Sequence, residues 1–359
     1  MKAFSSRWIQ VAAVLVLALL LFLLWPSPID SAAYEAPPPP PLTGALEPNG
    51  SLRSVQHIAE GQVPGGEDVA VDSQGRLYAG TADGRILRIT LRPQDGDQVE
   101  VFAKGLGRPL GLHFDAQERL VVADADLGLL RLDARGKAEV LSTQAEGLPF
   151  AFTDDLDIAR DGRIFFSDAS SKWSQPDYML DLLEARPYGR LLVYDPRSGE
   201  TRVVLDGLYF ANGVALSMNE DFVAVNETYR FRIHRCWLKG PSAGTCDMLA
   251  QDLPGYPDGI ASDRRGQLWV AIFSLRNPQI DFFQRHPFLK DQLAKLPRAL
   301  FPGPQPYGLV LVLNERGELQ HSLHDPGGVR TRGVTSVQPH GGFLYLGTLE
   351  EDYLARLPW

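Results

Sequence analysis

The chain has 359 residues, a formal net charge of -9 and an isoelectric point of about 5.3. This acidity argues against nucleic acid as a partner, because binding to phosphate backbones requires clustered Lys and Arg. The 34 glycines and 27 prolines are typical of a turn-rich β protein.

The first element is an uncharged apolar run over residues 9–25, preceded by Lys2 and Arg7. A run of this length is about the minimum for a membrane-spanning helix. Positive charge on its N-terminal side predicts that residues 1–8 stay cytoplasmic. We therefore predict a single-pass signal anchor, with the rest of the chain in the periplasm or another extracytoplasmic space. The alternative is a cleaved signal peptide, with the small residues 31–33 as the peptidase site.

Residues 26–44 form a linker with five consecutive prolines. Such a run favours an extended polyproline spacer. We expect this linker to hold the folded domain, residues 45–359, away from the bilayer.

An apolar alternating run, a tight turn and a second apolar run recur along the rest of the chain. The copies are residues 69–80, 112–123, 156–167, 214–225, 260–271 and 336–347, with turns at Gly75, Glu118, Gly162, Glu220, Gly266 and Gly342. Each copy predicts two strands joined by a turn, and further strand-like runs follow several copies. The first two turn-to-turn steps are 43 and 44 residues, and a period in the low forties is typical of a propeller. We predict an all-β fold, a six-bladed β-propeller.

Two longer steps, of 58 and 76 residues, contain insertions at 171–187 and 274–307. The first includes YMLDLLEA, which has helical apolar spacing, with Asp177 as a candidate N-cap. The second is rich in Phe and Leu and predicts a short helix near 287–296. Both follow the second strand of a blade, so both leave the sheet on the face where the first strand begins. We predict lid-like segments over one pocket; packing on the side of the propeller is the alternative.

The two cysteines, Cys236 and Cys246, flank a turn between two strand-like runs. Neighbouring antiparallel strands could place them face to face, and an oxidising compartment would permit a disulfide. Two buried thiols are the alternative.

Four polar residues occupy equivalent positions next to the first strand of four repeats. They are Glu67, Asp154, Asn212 and Asp258. The innermost strands of a propeller line its central channel, so these side chains should converge near the axis. Four oxygen donors without His or Cys suit calcium or magnesium, and three carboxylates gathered there would repel one another without a cation. We predict one axial metal site, for calcium rather than magnesium; the alternative is that each residue only caps a turn.

Long phrases of this sequence are similar to the strictosidine synthase-like family, in particular to its membrane-anchored, arylesterase-like group. They include PGGEDVAVDSQGRLYAGTADGRI, FTDDLDIARDGRIFFSDASSKW and LPGYPDGI, and the resemblance covers nearly all of residues 50–359. It implies a more distant kinship with gluconolactonase, regucalcin, diisopropylfluorophosphatase and paraoxonase, which are calcium-dependent six-bladed propeller hydrolases. Their axial pattern of Glu, Asn, Asn and Asp falls on Glu67, Asp154, Asn212 and Asp258.

Three positions depart from the patterns that the resemblance implies. Asp154 stands where the family usually has Asn, which adds a third carboxylate to the site. Thr335 occupies the position of the synthase catalytic Glu, which argues against condensation of an amine with an aldehyde. Leu110 stands where paraoxonases have a His, so a His-based mechanism is not supported.

The resemblance implies a calcium-dependent hydrolase, arylesterase-like or lactonase-like, acting on small apolar esters or lactones. Asp258 would then be both a metal ligand and the catalytic group, as general base or as nucleophile. The alternative is a non-catalytic propeller that binds a protein partner and holds a structural calcium. No G-x-S-x-G motif surrounds Ser170 or Ser171, which argues against a serine hydrolase.

Overall fold

The computed structural model describes residues 2–92, 94 and 96–359. Within them, short antiparallel strands form six four-stranded sheets. The strands are β1 (Gln56–Ile58), β2 (Ala70–Val71), β3 (Leu77–Gly80), β4 (Arg85–Thr90), β5 (Gln98–Lys104), β6 (Pro109–Phe114), β7 (Leu120–Asp124), β8 (Gly128–Leu132), β9 (Ala138–Ser142), β10 (Gln144–Ala145), β11 (Leu148–Pro149), β12 (Thr153–Ile158), β13 (Ile164–Asp168), β14 (Gly189–Asp195), β15 (Glu200–Leu208), β16 (Ala211–Leu216), β17 (Phe222–Glu227), β18 (Arg232–Trp237), β19 (Cys246–Ala250), β20 (Gly255–Ser262), β21 (Gln267–Leu275), β22 (Gly308–Asn314), β23 (Leu319–Asp325), β24 (Val334–His340), β25 (Phe343–Thr348) and β26 (Leu354–Pro358). The α-helices are α1 (Lys2–Leu24), α2 (Tyr178–Glu184), α3 (Pro278–Gln284) and α4 (Pro287–Leu293). Short 3-10 turns lie at Gly44–Leu46, Ser51–Ser54, Gln175–Asp177, Thr228–Arg230 and Arg298–Leu300.

The six sheets are the blades of a propeller, which confirms the predicted fold. Five blades use consecutive strands: β2–β5, β6–β9, β12–β15, β16–β19 and β20–β23. The sixth blade joins β24–β26 to β1, with Gln56 opposite Arg356 and Ile58 opposite Leu354. The N-terminal strand therefore closes the ring against the C-terminal one. A small hairpin, β10–β11, lies outside the blades.

All six turn positions named from the repeats have a left-handed backbone. Their φ angles are 76° at Gly75, 58° at Glu118, 90° at Gly162, 56° at Glu220, 103° at Gly266 and 82° at Gly342. Glycine adopts this conformation without steric cost, whereas a residue with a Cβ rarely does. The local chemistry of the repeat thus sets where the first strand of each blade turns into the second.

The core lies between neighbouring blades rather than inside one sheet. In one cluster, Tyr78 and Ile86 of the first blade pack against Leu112, Val122 and Leu130 of the second. Burying an apolar side chain of this size stabilises the fold by about 1.5–3 kcal/mol. Apolar side chains between neighbouring blades thus bury much of the core.

Both insertions connect the second strand of a blade to the third. The first contains α2, as its apolar spacing predicts, and Asp177 occupies the N-cap position without a capping hydrogen bond from its side chain. The second contains α4, near the predicted helix, and also α3, which the sequence pattern did not predict. The start of α3 has a local signal: Pro278 is its first residue, and the Asn277 side chain accepts the backbone N–H of Gln279.

Helix α1 is largely exposed over residues 7–24. This stretch is long and apolar enough to cross a membrane, by length and composition. The helix is a candidate membrane anchor.

The proline-rich linker does not stand away from the propeller. Ile29 and Ala36 are buried, and the backbone N–H groups of Ala32 and Tyr34 donate to the carbonyls of Glu184 and Gln284. The expectation of a free spacer is therefore wrong for these residues. These contacts lie at residues 29–36, before the proline run at residues 37–41.

Cys236 and Cys246 lie directly opposite each other on β18 and β19 and form a disulfide. The structure thus decides between the two alternatives that the sequence left open.

Candidate functional site

The four axial residues lie where two cavities meet. Glu67, Asp154, Asn212 and Asp258 line both a polar channel of about 260 Å³ and a chamber of about 100 Å³. The chamber is bounded by both insertions, and the channel opens toward the opposite face of the propeller. The structure therefore brings together the side chains that the repeats placed at equivalent positions.

Close packing of the inner strands makes this convergence possible. A Cβ at Gly213 would lie 2.4 Å from both the carbonyl oxygen of Asp258 and the backbone nitrogen of Ile260. A Cβ at Gly111 would lie 2.7 Å from Cα of Asp155. Only glycine permits these approaches, so the glycine after Asn212 brings that amide next to the neighbouring blade's carboxylate.

Burial dominates the electrostatics of the site. It raises the pKa of Glu67 to about 7, although the Arg108 guanidinium counteracts this. Burial also raises the pKa of Asp154 well above its usual value, and the carboxylates of Glu67 and Asp258 raise it further. The pKa of Asp258 is raised by burial and by Glu67 in the same way. Burial and mutual repulsion therefore disfavour the charged form of all three carboxyl groups. A cation between them would be attracted to the site, because it would relieve this repulsion.

The donor set fits a hard divalent cation. Glu67 Oε2 is buried and has no hydrogen-bond partner among the described residues, which leaves an acceptor free for a ligand. The four side chains offer carboxylate and amide oxygens, the ligands that calcium prefers. Among the described residues, however, no group of three or more His, Cys, Asp or Glu side chains has the arrangement of a metal site. The fit thus rests on the donor chemistry and on the free oxygen.

Arg108 is a residue of the candidate site that the sequence pattern did not reveal. Its guanidinium is buried, donates to the carbonyl of Gly65 at 2.9 Å and lies 3.7 Å from Glu67 Oε2. If all three axial carboxyl groups are ionised, the charge of Arg108 leaves two net negative charges at the site, which a divalent cation would neutralise. The one feature of the sequence that could have indicated Arg108 is its position two residues before Leu110, directly before the inner strand β6. Arg108 offsets the additional carboxylate of Asp154.

The acidic residues that follow two of the axial residues join neighbouring blades. Asp68 accepts the backbone N–H of Leu112 at 2.9 Å, and Asp155 accepts that of Val214 at 2.8 Å. Each bond runs from one inner strand to the next. These carboxylates fix the spacing of the inner strands and so the distances between the axial side chains.

Asn226 is hydrogen-bonded to the backbone of Asp258. Its side chain is fully buried, and Nδ2 donates to the backbone carbonyl of Asp258. Thr228 Oγ1 donates to the carbonyl of Pro257 at 2.7 Å. Asn226 belongs to an N-glycosylation sequence, Asn-Glu-Thr, but its burial makes it a positioning residue rather than a surface acceptor.

The chamber is mostly apolar. Its walls come from the inner blades and from both insertions, and its apolar lining includes Phe152, Phe210, Tyr229, Phe273, Tyr178, Met179, Leu182 and Ile280. The hydroxyl of Tyr229 donates to the carbonyl of Tyr178 at 2.9 Å, which ties α2 to the propeller. The two insertions therefore form a lid over one pocket, as predicted.

Two of the three departures from the family pattern, Leu110 and Thr335, lie in the channel, where both reach the axis. Thr335 Oγ1 donates to the backbone carbonyl of Glu67 at 2.7 Å. His113 lines the channel and lies 3.6 Å from Asp157, away from the chamber. Thr335 thus stands at the position of the synthase Glu, and Leu110 at that of the paraoxonase His.

Comparison with known proteins identifies relatives along the whole chain. A family model described as strictosidine synthase matches residues 154–241, and one described as strictosidine synthase-like, N-terminal, matches residues 44–89. Adipocyte plasma membrane-associated protein from Mus musculus is 35% identical, over 99% of this chain and 90% of the relative. The Gallus gallus protein of that name is 37% identical, over 99% and 90%. Strictosidine synthase-like protein 10 from Arabidopsis thaliana is 34% identical, over 96% and 97%.

Solved structures share the fold at low identity. A gluconolactonase from Xanthomonas campestris superposes with a TM-score of 0.62 at 22% identity, covering 93% of this chain and 99% of that one. Regucalcin from Agrobacterium tumefaciens, a calcium-binding protein, gives 0.59 at 14% identity, covering 84% and 92%. At such identities the likeness establishes the propeller fold and nothing finer.

Proposed function

This chain belongs to the strictosidine synthase-like family, and from that premise we propose that it is a membrane-anchored, calcium-dependent hydrolase of ester or lactone bonds. The observation that carries the proposal is the position of Glu67, Asp154, Asn212 and Asp258 between the polar channel and the lidded apolar chamber. A gluconolactonase and a calcium-binding regucalcin among the structural neighbours agree with this assignment.

The four axial side chains would hold one calcium ion. A bound divalent cation supplies Lewis-acid stabilisation of the negative charge that develops on a carbonyl oxygen during ester cleavage. Asp258 is the candidate catalytic group, because its carboxylate borders the chamber. It acts either as nucleophile on the carbonyl carbon or as the base that orients and deprotonates a water. Asn226 holds the backbone of Asp258 in place through the hydrogen bond to its carbonyl.

The lid determines what reaches Asp258. Aromatic and aliphatic side chains from both insertions line the chamber, and such walls exclude water and favour apolar acyl or aryl groups. Excluding water also strengthens the electrostatic interactions of the axial carboxylates. We therefore assign small apolar esters or lactones as the substrate class.

The proposed topology follows from helix α1. Lys2 and Arg7 at its start favour a cytoplasmic location for residues 1–8, by the positive-inside rule. The propeller then lies in the periplasm or another extracytoplasmic space, where the Cys236–Cys246 disulfide is stable.

Hydrolysis assays on the purified full chain in detergent test the proposal. Aryl esters and lactones are offered with calcium, then with a chelator, then with calcium restored. We expect turnover to vanish on chelation and return with calcium, and Asp258→Ala to lose at least about 100-fold in kcat/KM. The exposed carboxylate of Asp206, on the outer strand β15, is not part of the chamber lining and provides a matched control: Asp206→Ala should keep full activity.

A binding module with a structural calcium is the second candidate. It is favoured by Leu110 and Thr335, which replace catalytic groups of related enzymes at the axis. A folded, calcium-loaded protein that turns over no ester or lactone would support this candidate, and a protein partner would then be the object of the search.

A further inference from the structure

The lid contacts the end of the candidate membrane helix. Lys295 Nζ donates to the carbonyls of Phe22 and Leu23, at 3.1 and 3.3 Å. Helix α1 has 23 residues, and at 1.5 Å per residue it is about 34 Å long. The hydrocarbon core of a bilayer is about 30 Å thick. If α1 spans that core, its last turn lies at the core boundary, and the lid lies there too.

A second set of contacts limits how far the lid can be from the bilayer. Ser27 follows the end of α1 by three residues, and its hydroxyl lies 3.3 Å from Asp291 Oδ1 on α4. Three residues of extended chain cover at most about 11 Å. Ser31 Oγ lies 2.8 Å from the same carboxylate oxygen. Helix α4 is thus held close to the headgroup layer, which is roughly 5–8 Å thick on each side.

Four large apolar side chains of the lid and of its junction with α1 are exposed: Trp25, Phe282, Phe288 and Leu300, which we call the lid outer face. Their exposed fractions are 71%, 52%, 60% and 63%. Phe282 and Leu300 line one surface pocket, and large apolar side chains exposed to water usually mark an interaction site. Phe282 and Phe288 lie on α3 and α4, and Trp25 directly follows α1.

The charge of the second insertion also differs from that of the whole chain. Residues 274–307 contain five basic residues but only two acidic ones, Asp281 and Asp291, in a chain of net charge -9. Arg276 and Lys290 are buried, so Arg285, Lys295 and Arg298 are the basic residues at the surface. Apolar side chains interspersed with basic ones are characteristic of helices that lie in a membrane interface.

We propose that the lid outer face lies in the interface of the bilayer that α1 crosses, with Phe282, Phe288 and Leu300 inserted below the headgroups. The partner is the lipid surface itself. The linker then holds the lid helices on one side and lipid contacts them on the other. The apolar chamber lies directly above the lipid phase. This placement does not depend on catalysis and stands whether or not the protein hydrolyses esters.

Depth-dependent fluorescence quenching tests the proposal on the full chain in phosphatidylcholine vesicles. Because both native cysteines are in the disulfide, a single introduced cysteine can be labelled with an environment-sensitive fluorophore. Phe288→Cys and Leu300→Cys replace exposed side chains and should leave folding unchanged. We expect lipids brominated near the headgroup to remove at least about half of the emission at both positions.

Two control labels make the outcome decisive. Ala116→Cys lies in an exposed turn between β6 and β7, on the face opposite the lid, and should remain unquenched by lipid. Leu17→Cys in α1 reports whether the anchor is inserted. Quenching at 17 without quenching at 288 and 300 would overturn the proposal. Labels at 288 and 300 that are shielded from both brominated lipid and aqueous iodide would point to a second copy of the chain and would also overturn it.

Discussion

At the scale of single residues, charge decides the behaviour of the axial site. Burial raises the pKa of Glu67 from its ordinary value of 4.5 to about 7 in the folded protein. Between these values the folded state binds more protons than the unfolded state, so stability falls as pH rises. The pKa values of Asp154 and Asp258 shift in the same direction for the same reason. Without a cation, the site therefore opposes folding at neutral and basic pH.

The pH dependence of calcium stabilisation follows from this charge. In chelator, we expect the midpoint of thermal unfolding to fall between about pH 5 and pH 8, with Glu67 alone contributing about 3 kcal/mol. Calcium replaces the protons and removes the repulsion, so its stabilising shift should be larger at pH 8 than at pH 5. Differential scanning fluorimetry of the full chain in detergent measures both. An equal calcium shift at all pH values would contradict the predicted site.

Asp154→Asn separates the effect of charge from that of shape. The substitution keeps the size of the side chain and removes one buried carboxylate, so the metal-free protein should become more stable and less sensitive to pH. Its calcium shift should shrink, because a neutral oxygen attracts the cation less strongly. The exposed substitution Asp206→Asn should change neither quantity.

At the scale of elements, the linker and the lid form one unit. Arg230, which follows β17, lies between the rings of Tyr34 and Tyr209, 3.7 and 3.4 Å from their centroids. Lys290 on α4 is fully buried and donates to the carbonyl of Ala32 and to Gln284. The linker thus joins the fourth blade to both insertions, and the order of the lid depends on residues more than a hundred positions earlier in the chain.

Removing the ring of Tyr34 should loosen the lid. A partly buried cation–π contact contributes about 1–2 kcal/mol, so Tyr34→Ala should raise the open population of the lid about tenfold. Trypsin cleavage within residues 274–307, followed by mass spectrometry under native conditions, measures this. Glu35→Ala changes the neighbouring exposed residue and serves as the control. Equal cleavage rates in the two variants would show that the linker does not hold the lid.

At the scale of the whole molecule, the ring is closed by two short strands from opposite ends of the domain. β1 has three residues and pairs with β26 at the outer edge of the sixth blade. Leu354 on β26 is fully buried and packs in one cluster with Ile58 and with Val69 and Leu87 of the first blade. The last interface between blades therefore depends on a side chain close to Trp359, the last residue of this sequence.

Leu354→Ala should weaken the entire ring. A buried Leu→Ala substitution costs about 2–5 kcal/mol, and closure of the ring couples that loss to every blade. Leu148→Ala in the exposed hairpin β10–β11 removes the same atoms where 47% of the residue's surface is already in solvent, and it should cost less than about 0.5 kcal/mol. Urea unfolding followed by circular dichroism distinguishes the two. Equal midpoints would mean that closure does not limit stability.

What the sequence determined by itself are the features that depend on residues close together in the chain. The turn at each repeat follows from local backbone chemistry, and the six-bladed count follows from the repeat. The equivalent positions of Glu67, Asp154, Asn212 and Asp258 predict their meeting at the axis, since equivalent positions of a ring face its centre. Their roles as metal ligands, and that of Asp258 in catalysis, stay predictions.

Only the tertiary structure decided the features that depend on contacts between distant segments. The charge of Arg108 matters because Gly65 and Glu67 of another blade lie beside it. Asn226 matters because the carbonyl of Asp258 is within its reach. The linker binds the lid because buried Lys290 needs the carbonyl of Ala32, 258 residues away. Each of these contacts satisfies a polar group that folding buries. The sequence shows the polar group, but its partner lies far away in the chain and is brought to it only by tertiary packing.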